Sequence, residues 1–129
     1  AQELQANGLT FSACLAGRGG SAGNVLLLHG FPFTCKIYVP LMLELAARGF
    51  CSLAFNQRGY SRHAAPSAKA DYHYDHLRDD VFAVADAAGF SHFHLVGHDH
   101  GALLGWCVVG SDRGPERILS YTSLALIAD

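Results

Sequence analysis

The stretch Val96-Gly97-His98-Asp99-His100-Gly101 decides how the rest of the chain is read. Before it comes His92–Val96 (HFHLV), a short β-like run, and after it Ala102–Val109 (ALLGWCVV), an apolar run of helical length. A strand that passes straight into a helix must reverse sharply. The residue at the apex is then strained, and only small residues two positions to either side let the backbone close. Gly97 and Gly101 fill those places, with His98 and His100 flanking the apex residue Asp99. The carboxylate of Asp99 is expected above the sheet, with the His100 amide N–H aimed at the same point from a helix N-terminus. A plainer reading makes Asp99 only the N-cap of the helix that follows.

Two more segments extend the pattern. Val25–Leu28 is a continuous apolar run, suited to a parallel strand covered on both faces, and it ends in His29-Gly30-Phe31-Pro32. Cys51–Phe55 is the next strand, followed by Asn56-Gln57-Arg58-Gly59-Tyr60-Ser61. Leu9–Leu15 is a weaker strand. Helices are expected over Pro40–Arg48, closed by Gly49, and over Asp75–Ala88, capped by Asp75 and stopped by Gly89. Leu77, Val81, Val84, Ala85 and Ala88 share one face of the second helix. A last strand spans Ile118–Ile127, and its free edge needs a cover: a protein partner or more chain. Strands alternating with helices predict an α/β fold, a mostly parallel sheet with helices on both faces. Three loops at successive strand ends then meet on the carboxyl edge, where such sheets bind ligands.

Composition narrows the function classes. The 129 residues make one domain, half of them apolar and 16% charged, with net charge −2. No Lys/Arg run invites nucleic acid. Val25–Leu28 and Leu124–Ala128, the longest apolar runs, fall far below the roughly 20 residues of a membrane span. Cys14, Cys35, Cys51 and Cys107 lie in or beside apolar stretches without a C-x-x-C, which predicts reduced packing thiols and a soluble protein of a reducing compartment. His92 and His94 are placed on one strand face, but position 96 is Val, so the histidines lack a metal-ligand spacing and neither metal nor cofactor is expected. Arg58 is expected to anchor a carboxylate, His29 to brace nearby loops, and Trp106 to pack in the core.

His29-Gly30-Phe31-Pro32, Arg58-Gly59-Tyr60-Ser61, Val96–Gly101 and Pro115-Glu116-Arg117-Ile118 together resemble the α/β-hydrolase superfamily, in its epoxide hydrolase-like branch with an aspartate nucleophile. The resemblance runs from about Leu9 onward. It implies that Asp99 attacks a small apolar electrophile such as an epoxide and forms an alkyl-enzyme ester. The backbone N–H groups of Phe31 and His100 would hold the oxyanion when that ester is hydrolysed. Gly30, Pro32, Arg58, Gly97, His98 and Gly101 would support the site. Aspartate is ionised at neutral pH, so this nucleophile needs no base. The chain also departs from the family. Asn56 stands where Asp is usual, and His100 where Trp is usual after the nucleophile. No histidine follows His100, so the deacylating base, the helical cap and the C-terminal strands of the family core are missing from these residues. Leu103 and Leu104 offer no cation for a haloacid, and Phe31 no side-chain halide donor. The alternative expectation is a non-catalytic subunit that keeps the hydrolase scaffold within a larger complex.

Overall fold

The computed structural model describes residues 2–124. In chain order it holds β1 (Gln2–Ala6), β2 (Leu9–Ala16), β3 (Gly23–Leu28), a 3₁₀ turn (Cys35–Tyr38), α1 (Val39–Ala47) and β4 (Phe50–Phe55). A second 3₁₀ turn (Lys69–Tyr72), α2 (Tyr74–Ala87), β5 (Phe93–His98), α3 (His100–Val109), α4 (Gly114–Arg117) and β6 (Ile118–Leu124) follow. The strands form one sheet in the order β1-β2-β4-β3-β5-β6. β1, β2 and β4 pair antiparallel, while β4, β3, β5 and β6 pair parallel.

Alternation along β3 sets the layers. Val25 and Leu27 pack with Met42 and Tyr38 on the face covered by α1. Leu26 and Leu28 pack with Phe82, Val84 and Leu104 on the face covered by α2 and α3. Both faces are dry, which is why all four positions are apolar. The expected helix stripe is also found: Val81, Val84 and Ala85 are buried in α2, with Leu77 and Ala88 packed against the same core.

Five expectations need correction. The strand β1 has no counterpart in the sequence reading. It pairs with β2 through Asn7-Gly8, both at positive φ (50° and 78°), the dipeptide that matches the strand twist in a two-residue hairpin. Asp75 does not cap α2: His73 is the N-cap, and Asp75 sits in the first turn, 3.3 Å from Arg78. Trp106 is 60% exposed, because α3 buries Ala102, Leu104, Gly105 and Val108 and turns Trp106 away. Its ring packs edge-on against Tyr121. Cys107 is exposed rather than buried, and His92 precedes β5, so it does not share a strand face with His94. At the last strand, β6 pairs with β5 alone among the described residues, and 125–127 of the expected strand lie outside them. No helix among the described residues is long and apolar enough to cross a membrane.

Candidate active site

β3 lies between β4 and β5, so the loops after all three strands converge on one edge of the sheet. Asp99 stands at the apex of the β5–α3 turn with φ 58° and ψ −122°. A residue with a Cβ rarely adopts this conformation, which costs on the order of 1–3 kcal/mol. Close packing around the turn enforces it. A Cβ on Gly101 would lie 2.7 Å from the His29 carbonyl oxygen and closer still to that of Leu28. One on Gly97 would run into the Gly101 carbonyl. The helix start is thereby pressed onto the end of β3, and no larger residue fits at either glycine.

The Asp99 side chain rests on the neighbouring loop. A Cβ on Gly30 would lie 2.5 Å from the Asp99 Cβ and 2.8 Å from its Oδ2. Asp99 occupies the N-cap position of α3, yet its carboxylate accepts no capping bond. The Asp99 carbonyl, by contrast, accepts from Ala102 N–H (2.9 Å) and Leu103 N–H (3.3 Å). The capping interpretation therefore leaves the half-buried carboxylate without a function. Among the described residues, the amide N–H groups of Phe31 and His100 donate to no protein acceptor. The Phe31 and His100 rings stack at 6.2 Å beside the turn. The Phe31–Pro32 peptide is cis, and Phe33 N–H closes the loop on the Gly30 carbonyl at 2.8 Å.

His29 is buried and braces this loop. Its Nδ1 lies 3.0 Å from the Gly30 carbonyl, and its Nε2 accepts the Gln57 N–H at 3.1 Å. One nitrogen must donate and the other accept, which fixes a neutral tautomer. Burial lowers its pKa, partly offset by the Gly30 carbonyl. Gln57 Nε2 donates back to the His29 carbonyl at 2.9 Å, and the Tyr60 ring stands edge-on to His29 at 4.6 Å. Tyr60 has its own pKa raised, by burial first and then by the Asp99 charge.

Arg58 holds the second loop from below. Its Nε and Nη2 donate to Asp80 Oδ2 and Oδ1, both at 2.9 Å, and its Nη1 donates to the Asp71 carbonyl at 2.7 Å. Asn7 adds a bond to Asp80 at 2.8 Å. Asn56 Oδ1 accepts the Cys35 N–H at 2.8 Å, a task any side-chain carbonyl or carboxylate oxygen performs, so the departure from Asp leaves this bond intact.

A cavity of about 170 Å³ opens beside the elbow, lined by His29, Arg58, Tyr60, Tyr72, Tyr74, His100 and Leu104 among others. Sequence reading missed Gln57, Tyr72, Tyr74 and Asp80 here. The only available signal was position, since Gln57 lies inside a loop already singled out. His98, next to the apex, is half-buried, and its Nδ1 has no partner among the described residues. Among the described residues no three His, Cys, Asp or Glu side chains converge as a metal site would require.

Comparison with known proteins identifies the family. The family model described as alpha/beta hydrolase fold matches residues 23–128. Epoxide hydrolase 2 of Siraitia grosvenorii is 31% identical over 112 residues, which is 85% of this chain and 34% of that protein. An epoxide hydrolase of Caballeronia sordidicola is 34% identical over 81% of this chain and 31% of its own length. The crystal structure of an epoxide hydrolase from Vigna radiata superposes with a TM-score of 0.88 at 32% identity, covering 99% of this chain and 40% of that one. The chain thus spans about a third of the length of the curated relatives it matches. On the family model over residues 23–128 and on these relatives, the chain belongs to the α/β-hydrolase fold family and is epoxide hydrolase-like within it.

Proposed function

We propose that these residues supply the nucleophile half of an epoxide-opening hydrolase. One observation carries the reading: a carboxylate at a strained elbow, uncapped and pressed against Gly30 beside two unengaged amides. Such strain persists where packing over-determines it, and it clusters at reactive positions. An Asp99 oxygen attacks an epoxide carbon, and the ring C–O bond breaks toward oxygen. The oxygen takes a proton from solvent water and becomes a hydroxyl, leaving an alkyl ester on Asp99. Water then attacks the ester carbonyl carbon. The negative charge that develops on the carbonyl oxygen faces the Phe31 and His100 amides. Collapse of the intermediate releases a diol and restores Asp99. His29 cannot activate the water, since both of its ring nitrogens are engaged. The exposed Phe31 and His100 rings and the neighbouring Leu104 suit an apolar substituent on the epoxide.

The test is covalent trapping. The full natural polypeptide carrying these residues is mixed with a simple aryl epoxide, acid-quenched and digested. The expected result is a substrate-mass adduct on the peptide containing Asp99, absent in Asp99→Asn. Diol formation with no adduct at any quench time, or turnover that survives Asp99→Asn, overturns the proposal.

A further inference from the structure

Cys14 and Cys35 lie with their sulfurs 3.0 Å apart, the one thiol–thiol contact among the described residues. Non-bonded heavy atoms rest at roughly 3.5–4 Å, and a disulfide at about 2.05 Å, so the pair is closer than ordinary contact and roughly a third to a half of the way to a bond. Both backbones are fixed from outside the pair. Cys14 is held in β2 opposite Ala54 of β4. Cys35 opens the first 3₁₀ turn, and its N–H is tied to Asn56. Tyr38, at the end of that turn, donates to the Leu28 carbonyl at 2.7 Å. The two thiols differ in access: Cys35 is 2% exposed and Cys14 half-buried. Burial, and then the proton it shares with Cys14, pushes the Cys35 thiol up to about 12.

We infer that Cys14 and Cys35 form a thiol pair that a low-molecular-weight disulfide such as oxidised glutathione converts into an intramolecular disulfide, anchoring to β2 the strap that carries His29 to Phe33. The Cys14 thiolate attacks one glutathione sulfur and releases a glutathione thiolate. The Cys35 sulfur then attacks the Cys14 sulfur of the mixed disulfide, and its proton goes to the second departing glutathione thiolate. Net, two protein thiols lose two hydrogens and one glutathione disulfide becomes two glutathione thiols. The site is independent of the chemistry assigned to Asp99.

The full natural polypeptide is incubated with oxidised glutathione, its remaining thiols alkylated, and digested without reduction. The expected result is a loss of two hydrogens and one linked peptide pair, Cys14 with Cys35, together with a higher melting temperature than the reduced protein. Cys35→Ser, or Cys35→Ala if the serine variant does not fold, should stop at a glutathione adduct on Cys14. Cys51→Ser and Cys107→Ser should leave the link in place. A stable glutathione adduct on wild-type Cys14, a link through Cys51 or Cys107, two free thiols after oxidation, or an unchanged or lower melting temperature overturns the inference.

Discussion

Asp99 and Asp80 are both half-buried or buried aspartates in a chain of modest charge, yet their surroundings are opposite. Asp80 receives two bonds from Arg58 and one from Asn7, so both of its oxygens are satisfied in the interior. Asp99 sits at a strained turn and receives no capping bond. A buried charge that is fully paired serves the structure, whereas on the function proposed above the strained, uncapped carboxylate is the nucleophile. On that proposal the same side chain has two jobs in one chain, and its neighbours decide which.

Substitutions can break or sharpen that contrast. Asp99→Asn should lower epoxide turnover by about ten-thousand-fold or more, as loss of a nucleophile does. Its unfolding free energy should stay within about 1 kcal/mol of wild type, since no bond is lost. Steady-state kinetics beside a urea melt reads both. Arg58→Met should do the reverse. It leaves Asp80 without a counter-charge in the interior, held by the Asn7 bond alone, at a cost of about 3–5 kcal/mol by urea unfolding, while the rate per folded molecule falls far less than in Asp99→Asn. If the two substitutions gave the same pattern, the contrast would fail.

Gly30→Ala tests whether the Asp99 position depends on the loop beneath it. The added methyl meets the Asp99 Cβ at 2.5 Å, so the carboxylate must move. A shift of about 1 Å at a reacting group costs roughly a hundred-fold in rate, which single-turnover kinetics would show. The smallest effect concerns pH. The His29 pKa is lowered in the folded state, so the unfolded chain takes up the proton first as pH falls. Stability is full above about 6.5 and declines as pH drops from there toward the folded-state pKa. Melting temperatures across that range should fall in wild type and flatten in His29→Asn.

The elbow was legible in the sequence because its physics is local. Two glycines bracket one residue between a strand and a helix, and few other conformations need both. The apolar run of β3 was legible for a similar reason: four consecutive apolar residues imply two covered faces, and both are covered. The strand β1 was missed although Asn7-Gly8 is a strong hairpin signal, because Gln2–Ala6 is polar enough to pass for a tail. Trp106 was misplaced because ALLGWCVV is apolar all round, so periodicity could not say which side of the helix is inward. Asp80 was invisible as the partner of Arg58. It lies 22 residues away, and nothing local distinguishes it from Asp79, which instead meets Arg78 and Arg113 near the surface.

Local chain stiffness and the burial pattern thus set, from the sequence alone, the strand–helix alternation, the layer order and the place of Asp99 at a tight turn. The tertiary structure decided which carboxylate is neutralised and which stays available, which nitrogen of His29 donates, and which two of four thiols touch. Those outcomes depend on distances between residues far apart in the chain, and such distances exist only once the sheet has assembled.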